Sequence, residues 1–356
     1  MSSQPLRVGI IGAGSWAVSA HIPSLASRSE VELWGVNRRG AVELERVAQR
    51  FGFRVATEDY RELVESGLDL AVVASPTKFH YEHAKAALES GAHVLCEKPF
   101  TIAPVEAWDL VNTAQRLDRH LLVAFGWNFT PLVEQAHLAI READLGEVEH
   151  VSVTMSSATR GLLTGASAYA DASAETVPDP ETWTNPALSG GGYGQAQLSH
   201  ALALALHLTG ESVTSALALT HRPANARVEL HDAFAMRLRG GGIASVSGAS
   251  SFMGFDNNRH HLAVEVVAER GQYIVDLFQD RVCVFNHRQG QVELPLQPGA
   301  GHYNGSLPSQ RLVDLALGLT KSNPASGALG ARTVEALDLA YRSEQSRAPE
   351  DCVAAP

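Results

Sequence analysis

The stretch Arg7-Val8-Gly9-Ile10-Ile11-Gly12-Ala13-Gly14-Ser15-Trp16-Ala17 decides the fold of this chain. Its apolar start predicts a short strand, and the residues that follow predict a glycine turn leading into a helix. Gly12 permits the tight turn, Gly14 lets the backbone approach a phosphate, and Ala17 is a small packing residue on a helix whose N-terminus favours a pyrophosphate. We therefore expect a dinucleotide to contact Gly12, Gly14, Ser15, Trp16 and Ala17.

The end of the second predicted strand, 31–36, bears on the choice of dinucleotide. A carboxylate usually accepts a hydrogen bond from the ribose 2′-hydroxyl about 20 residues after the glycine turn. Here the strand is followed by Asn37, Arg38 and Arg39 instead. Because guanidinium groups match a 2′-phosphate, the sequence favours NADP(H) over NAD(H). The alternative is that the arginines are simply exposed at the start of a helix over 41–51.

Strand and helix patterns continue to alternate up to residue 125. Helices are predicted at 60–66, 79–90 and 104–117, and strands at 68–74, around 94–96 and at 120–125. Strands separated by helices form a parallel sheet with right-handed crossovers. Residues 1–125 are therefore predicted to be a Rossmann-type α/β domain that binds the dinucleotide.

Two strand ends in this half carry polar residues. The run Val94-Leu95-Cys96-Glu97-Lys98-Pro99-Phe100 brings a lysine to the carboxyl edge of the sheet, where ligands bind in doubly wound folds. Burial there would lower the lysine pKa toward the range of a proton shuttle; the alternative is a solvated lysine. The preceding strand ends at Ser75-Pro76-Thr77, and His80 nearby is expected to touch the cofactor ribose or to cap the next helix.

The second half has a different pattern. Successive strands are predicted at 148–157, 213–222, 228–239, 243–251, 260–269, 272–277 and 281–285, with glycine turns between several of them. Residues 126–356 are therefore expected to form an α+β domain with a large, mostly antiparallel open sheet. A closing helix is predicted at 328–342, and the tail after Arg347 is expected to be loose.

Between these strands lies a helix with a histidine that could act in catalysis. The loop Gly190-Gly191-Gly192-Tyr193-Gly194 precedes an Ala/Leu-rich helix over 195–207 that is apolar on most faces and hence buried. Gln197 and His200 share one face of it. A histidine on an apolar helix is more often a core residue, and we interpret His207 in that way. The glycine loop, and a position facing the domain that carries Lys98, favour a catalytic role for His200.

Composition excludes several classes of protein. The chain has 356 residues, of which 28 are basic and 39 acidic, and its net charge of −11 disfavours a nucleic-acid surface. No segment reaches the length of a membrane span and no signal peptide is visible, so a cytoplasmic protein is expected. The three cysteines and the histidines lack metal-ligand spacing, so we expect no metal site.

Three motifs resemble the glucose–fructose oxidoreductase / inositol dehydrogenase / MocA family over nearly the whole chain. They are the glycine turn at 12–17, Pro76 with His80, and the more specific run Gly91-Ala92-His93-Val94-Leu95-Cys96-Glu97-Lys98-Pro99. The resemblance implies a nicotinamide-dependent oxidoreductase acting on a ring carbinol or ketone of a sugar, sugar derivative or cyclitol. It also implies a substrate-binding second domain whose open sheet joins copies in a homodimer or homotetramer.

The resemblance carries roles over to single residues. It implies that Lys98 lies between nicotinamide and substrate and that Glu97 contacts the cofactor side. Two departures concern the second domain: the family usually has aspartates where Ala196 and Ala203 stand, and often an arginine where Trp127-Asn128-Phe129 stands. The neighbouring Tyr193, Gln195, Gln197 and Asn128 supply hydrogen bonds without charge, which suits a neutral polyhydroxylated ligand.

The site predicted from the sequence has three parts. Catalysis is assigned to Lys98 and His200, with Lys98 hydrogen-bonded to the reacting oxygen and His200 as base or relay. Substrate contacts are expected from Lys98, Tyr193, Gln197 and His200. Cofactor contacts are expected from the glycine turn and from Asn37, Arg38, Arg39, Ser75, Pro76, Thr77, His80, Glu97, Lys98 and Asn128.

Two other functions are compatible with the same motifs. One is redox-neutral cleavage of a glycoside, in which a tightly held NAD oxidises the sugar only transiently. The other is a dinucleotide-binding sensor without catalysis, against which the presence of both Lys98 and His200 argues.

Overall fold

A computed structural model describes residues 4–166, 178–252 and 260–352. Among these residues the chain forms two compact units. The first unit contains 4–124, 178–182 and 305–331, and the second contains 125–166, 183–252, 260–304 and 332–352. The chain therefore leaves the first unit after its sixth strand, and residues 178–182 and 305–331 return to it.

A six-stranded parallel sheet forms the centre of the first unit. Its strands are β1 (Leu6–Ile11), β2 (Val31–Asn37), β3 (Val55–Thr57), β4 (Leu70–Val73), β5 (His93–Cys96) and β6 (Leu121–Val123). They lie in the order β3-β2-β1-β4-β5-β6, which is the Rossmann order. The predicted parallel sheet is confirmed. The short strand β3 was not predicted from the sequence. The strand order reverses between β1 and β4, where doubly wound sheets bind ligands.

Helices connect these strands. They are α1 (Ile22–Ala26), α2 (Ala41–Phe51), α3 (Tyr60–Glu65), α4 (His80–Glu89) and α5 (Pro104–Arg116). A π-helical segment, Ala17–His21, precedes α1, and a 3-10 turn, Thr77–Phe79, precedes α4. The bounds of α2 coincide with the predicted helix at 41–51, because its leucine and valine repeat at helical spacing and glycines flank it.

The C-terminal return completes the first unit. Helix α11 (Leu307–Ala316) packs against β4, β5 and β6, and the Val123 amide donates to the Ala325 carbonyl at 2.8 Å. This helix buries Leu312 and Val313 on the sheet. No sequence pattern near residue 125 indicates such a return, because the two segments lie far apart in the chain.

The second unit is built on a nine-stranded sheet. Its strands are β7 (Val148–Ser157), β8 (Val213–His221), β9 (His231–Leu238), β10 (Ile243–Ser250), β11 (His261–Ala268), β12 (Gly271–Asp276), β13 (Arg281–Asn286), β14 (Gly290–Glu293) and β15 (Glu350–Asp351). They lie in the order β14-β13-β12-β11-β7-β10-β9-β8-β15. The pair β7–β10 is parallel and the other pairs are antiparallel, which confirms the mostly antiparallel sheet.

The tail after Arg347 is not loose as far as it is described. Glu350 and Asp351 pair with Ala216 and Ser215 and form the edge strand β15. The prediction was wrong there because two residues suffice for this pairing and carry no strand pattern of their own.

One face of this sheet is buried and the other is exposed. Strands β9 and β10 alternate between buried and exposed residues, with Phe234 and Val246 among the buried ones. The remaining helices are α6 (Pro131–Ala143), α7 (Arg160–Thr164), α8 (Glu181–Thr184), α9 (Pro186–Ser189), α10 (Ser199–Thr209) and α12 (Gly327–Ser346). Helix α10 contacts β7 and β11 and is buried along nearly its whole length, as its Ala/Leu sequence predicts.

Candidate active site

The glycine turn lies at the point where the strand order of the first sheet reverses. Gly12 has φ of +85°, and a Cβ there would overlap the backbone nitrogen of Ser75, which follows β4. The amides of Gly12 and Ala13 donate to the Asn37 carbonyl at 3.0 and 2.9 Å. Only glycine fits here, because the ends of three strands converge on the turn and leave no room for a side chain.

The second glycine of the turn leaves room for a ligand. A Cβ on Gly14 would meet no atom closer than the Gly12 carbonyl oxygen at 4.0 Å. The helical stretch begins directly after it, at Ser15. Open space in front of a helix N-terminus is what a pyrophosphate requires, so these residues fit a dinucleotide.

The residues after β2 take different positions. The buried Asn37 amide donates to the Thr57 carbonyl at 3.0 Å. The Arg38 guanidinium lies against the turn and donates to the Ala13 carbonyl at 3.2 Å, and burial lowers its pKa. Arg39 is exposed and its guanidinium lies 5.6 Å from the centre of the Phe79 ring. The Asn37 side chain is therefore engaged in a hydrogen bond within the protein. Arg38 lies beside the glycine turn, and Arg39 lies beside the 3-10 segment.

A buried carboxylate joins the glycine-turn helix to the end of β5. Glu97 is 7% exposed, and its Oε1 accepts hydrogen bonds from Trp16 Nε1 at 2.9 Å and from His21 Nε2 at 2.7 Å. Its Oε2 accepts from the backbone amide of Lys98 at 3.0 Å. Burial alone would raise the pKa of Glu97, but the hydrogen bond and charge of His21, with the charge of Lys98, lower it.

Lys98 follows directly at the carboxyl end of β5. Its side chain is half-buried, and the Lys98–Pro99 peptide bond is cis. Burial lowers the pKa of Lys98, while the neighbouring charge of Glu97 opposes the shift. A lowered pKa increases the fraction of neutral amine, which is the form that accepts a proton.

His80 connects the ends of β4 and β5. Its Nδ1 lies 2.8 Å from the Pro99 carbonyl oxygen, and its Nε2 lies 2.6 Å from the Ser75 carbonyl oxygen. The ring is almost completely buried, and burial lowers its pKa. The structure thus places both ring nitrogens against backbone carbonyls, and Phe79 rather than His80 is the N-cap of α4. Thr77 is buried in the intervening 3-10 turn, next to Pro76.

His200 belongs to the second unit, on α10. Its ring is 3% exposed and makes edge contacts with Trp127 and Tyr303, at centroid distances of 5.1 and 5.4 Å. Gln197, one turn earlier, is half-buried, and Asn128 is fully buried beside Trp127. Aromatic walls around an imidazole restrict its orientation and its access to water.

Tyr193 lies in the protein interior and not at an exposed position. Its side chain is 0% exposed, and its hydroxyl accepts from Ser157 Oγ at 3.0 Å. Burial raises its pKa. This side chain packs inside the second unit, next to Gly248 of β10. His207 is half-buried and stacks on His137 at 4.6 Å, and burial lowers its pKa to about 4.

Three further polar residues of the second unit were not found by the sequence analysis. Glu229 and Asp232 are buried, and Tyr341 on α12 donates to Glu229 Oε1 at 2.6 Å. Glu229 also accepts from the glycine loop, where Gly192 N lies 2.6 Å from its Oε1. No local motif marks Glu229 or Tyr341, because the hydrogen bonds of Glu229 join it to Gly192, 37 positions away, and to Tyr341, 112 positions away.

Two absences hold for the described parts of the chain only. In residues 4–166, 178–252 and 260–352, no group of three or more His, Cys, Asp or Glu could hold a metal ion. Within the same ranges, no helix combines the length and the apolar character that a membrane crossing needs.

Comparison with known proteins shows the family. Residues 6–125 match the GFO/IDH/MocA oxidoreductase family with an NAD-binding Rossmann fold, and residues 133–274 match the GFO/IDH/MocA C-terminal domain. The two matches cover both halves of the chain, and the first of them is described by an NAD-binding Rossmann fold. The chain belongs to the GFO/IDH/MocA family, as its motifs predict.

Similar proteins include two curated enzymes and a solved structure. The D-glucoside 3-dehydrogenase of Escherichia coli (strain K12) is 33% identical over 54% of this chain and 50% of its own length. The glucose-6-phosphate 3-dehydrogenase of Bacillus subtilis (strain 168) is 35% identical over 41% of each chain. The chain thus spans half or less of these two relatives. The crystal structure of GenD2 from gentamicin A biosynthesis, in complex with NAD, shares the fold with a TM-score of 0.78, 23% identity and coverage of 99% and 98%.

Asp232 provides a stability test of the second unit. It is 4% exposed, and neither carboxylate oxygen has a hydrogen-bond partner among the described residues. Burial, with the nearby charges of Glu229 and Glu344, raises its pKa from 3.8 to about 8. The folded state therefore holds this proton more tightly than the unfolded state, and its contribution to stability falls as pH rises between about 4 and about 8.

The substitution Asp232→Asn removes this titration. We expect the variant to gain stability over the wild type as pH rises from 5 to 8, at up to about 1.4 kcal/mol per pH unit. Urea unfolding of both proteins at several pH values measures the difference. Glu265→Gln, at an exposed position of the same sheet, is the control and should show no such trend. A difference between wild type and Asp232→Asn that does not change with pH would contradict the assignment.

Proposed function

We propose that this protein is a nicotinamide-dependent dehydrogenase that transfers a hydride between its cofactor and a ring carbinol or ketone of a sugar derivative. The observation that carries the proposal is the placement of Lys98. It follows β5 directly, its backbone is held by Glu97, and Glu97 is bonded to Trp16 on the helix after the glycine turn. A proton-accepting amine and a dinucleotide turn are thus fixed to one another within a single unit.

We further propose carbon 3 of a glucose-type pyranose as the position of reaction. The two curated relatives are both named as 3-dehydrogenases, one of a glucoside and one of glucose 6-phosphate. They share the ring carbon and differ in the substituents of the sugar. Gln197 offers an uncharged amide at a half-buried position, which suits the hydroxyl groups of a neutral glycoside.

In this proposal, different residues of the chain bind the cofactor and transfer the proton. The turn residues Gly12 to Ala17 hold the pyrophosphate, and a bound nicotinamide supplies the hydride acceptor or donor. In the direction of oxidation, Lys98 Nζ accepts the proton of the reacting hydroxyl, and its lowered pKa favours the neutral amine that this step needs. His200 is proposed as a second base that shares or relays this proton.

NADP(H) is proposed as the preferred cofactor. No carboxylate ends β2, and the Asn37 amide is bonded to Thr57 instead. Arg38 lies against the glycine turn, where its positive charge would attract a 2′-phosphate. Arg39 is exposed beside Phe79 and adds a second positive charge.

An assembly of like chains through the nine-stranded sheet is also proposed. The face of this sheet away from α10 carries the exposed apolar residues Leu217, Leu219 and Ile243. Apolar side chains exposed on a wide sheet favour association with another surface. A homodimer or homotetramer formed through this face would cover them.

Lys98 is tested by replacement with a side chain of similar length and no charge. We expect Lys98→Met to lower kcat for oxidation of a glucoside about 10²–10⁴-fold, which is the usual contribution of a general base. The dissociation constant for NADPH should remain close to that of the wild type. Steady-state absorbance of the reduced cofactor and fluorescence titration measure the two quantities.

Lys321→Met is the control for this experiment, because Lys321 is exposed. It should leave both quantities unchanged. An unaltered rate in Lys98→Met would remove this lysine from the mechanism. A cleaved glycoside without any net change of NAD(P)H would favour the redox-neutral reaction, and no turnover on any sugar would favour the sensor.

The cofactor preference is tested by binding. We expect the wild type to bind NADPH more tightly than NADH. The substitution Arg38→Gln should weaken NADPH binding by about tenfold or more, as loss of a charge-assisted hydrogen bond does, and should leave NADH binding nearly unchanged. Arg46→Gln, at an exposed position of α2, is the matched control. Tighter binding of NADH by the wild type would contradict the proposal.

A further inference from the structure

The glycine loop of the second unit is wrapped around one buried side chain. The amides of Gly192 and Gly194 point to Glu229 Oε1 at 2.6 and 3.3 Å. Between them, the Tyr193 amide donates to the backbone carbonyl of Glu229 at 3.0 Å. Three successive amides of the loop therefore depend on the same residue, which precedes β9.

Tyr341 completes this arrangement from α12. Its hydroxyl donates to Glu229 Oε1 at 2.6 Å and accepts from the backbone amide of Gln195 at 3.1 Å. The hydroxyl thus accepts a hydrogen bond from the next backbone amide of the loop and also donates one to the carboxylate. Replacement of the hydroxyl would leave the Gln195 backbone amide without this acceptor and would remove one of the donors to Glu229.

The glycines of the loop are required by this contact. A Cβ on Gly191 or on Gly194 would overlap the phenolic end of Tyr341, and a Cβ on Gly192 would overlap the Glu229 carbonyl oxygen. The run of glycines is therefore explained by how closely the loop approaches the two side chains. A backbone held at such short range has little freedom to shift.

The loop leads directly into the helix that carries His200. A π-helical segment, Gly194–Leu198, begins at the last of these glycines and continues without a break into α10. The side chain of Glu229 accepts from Gly194, the first residue of this stretch, and from Gly192 just before it. At a helix N-terminus amides have no intrahelical partner and negative charge is favourable. Displacement of this end would shift Gln197 and His200 along with the helix.

We propose that Glu229 and Tyr341 form a clamp that positions Gln197 and His200 for catalysis. The clamp acts through the glycine loop, so both are positioning residues and neither touches the substrate. The catalytic half of this inference rests on the proposed function of His200. The positional half, that the clamp fixes the loop and the imidazole, is independent of any activity.

Hydrogen exchange tests the positional half. In Tyr341→Phe, which lacks the hydroxyl, and in Glu229→Leu, which lacks the acceptor oxygen, we expect the amides of residues 192–195 to exchange at least about tenfold faster, as loss of one net hydrogen bond allows. The NMR signals of the His200 imidazole should shift in both variants. The matched control is Tyr273→Phe, which removes a buried hydroxyl of the same unit that has no partner among the described residues. It should change neither the exchange nor the imidazole signals.

Kinetics tests the catalytic half in the same variants. Tyr341→Phe should lower kcat about 10–10²-fold, because a misplacement of about 1 Å has an effect of that order. The dissociation constant for NADPH should not change, since the cofactor turn belongs to the first unit. A purely structural role would lower the melting temperature and leave kcat per folded molecule unchanged.

The outcomes separate this inference from the proposed function. Unchanged exchange at 192–195 and unchanged His200 signals would overturn the clamp, whatever the activity. Faster exchange with a normal kcat would overturn its catalytic role. A wild type that oxidises no sugar would refute the proposed function, and the exchange and imidazole signals would then still decide whether the clamp positions His200.

Discussion

The carboxylate of Glu97 is the group on which the candidate site residues of the first unit depend. It accepts from Trp16, from His21 and from the amide of Lys98, so that all of its short-range partners are donors. A buried carboxylate is stable only with such partners, and removal of one would leave a charge without compensation. These hydrogen bonds connect two parts of the chain that lie about 80 positions apart. One is the helix after the glycine turn, and the other is the turn after β5. His80 reinforces the second of these from the other side through Pro99 and Ser75.

The second unit uses the same physical device in another place. Glu229 is a buried carboxylate that accepts from backbone amides, here those of the glycine loop before α10. Because carboxylates accept without donating, a single one can satisfy several amides that converge on it. In each unit, a buried acid thus fixes the backbone next to the residue to which we assign chemistry, Lys98 in one and His200 in the other.

Local patterns in the sequence predict what depends on near neighbours. The glycine turn, the bounds of α2, the position of Lys98 at a strand end and the antiparallel character of the second sheet all follow from periodicity and turn residues. The return of residues 305–331 to the first unit, the edge strand β15 and the partners of Glu97 depend on contacts between distant segments, which no window of sequence contains. Tyr193 shows the limit for single residues: the glycine loop suggests a ligand contact, whereas the structure places the ring inside the core with its hydroxyl bonded to Ser157.

The central claim is that a hydride leaves a ring carbon of a sugar for a nicotinamide held at the glycine turn while Lys98 takes the proton. Oxidation of a glucoside carrying deuterium at carbon 3 tests it most directly, with the reduced cofactor analysed by mass spectrometry and NMR. The account predicts that deuterium appears at C4 of the nicotinamide and accumulates with the oxidised sugar in equal amounts. Deuterium that stays on the sugar, or that passes to solvent without any labelled cofactor, would contradict it.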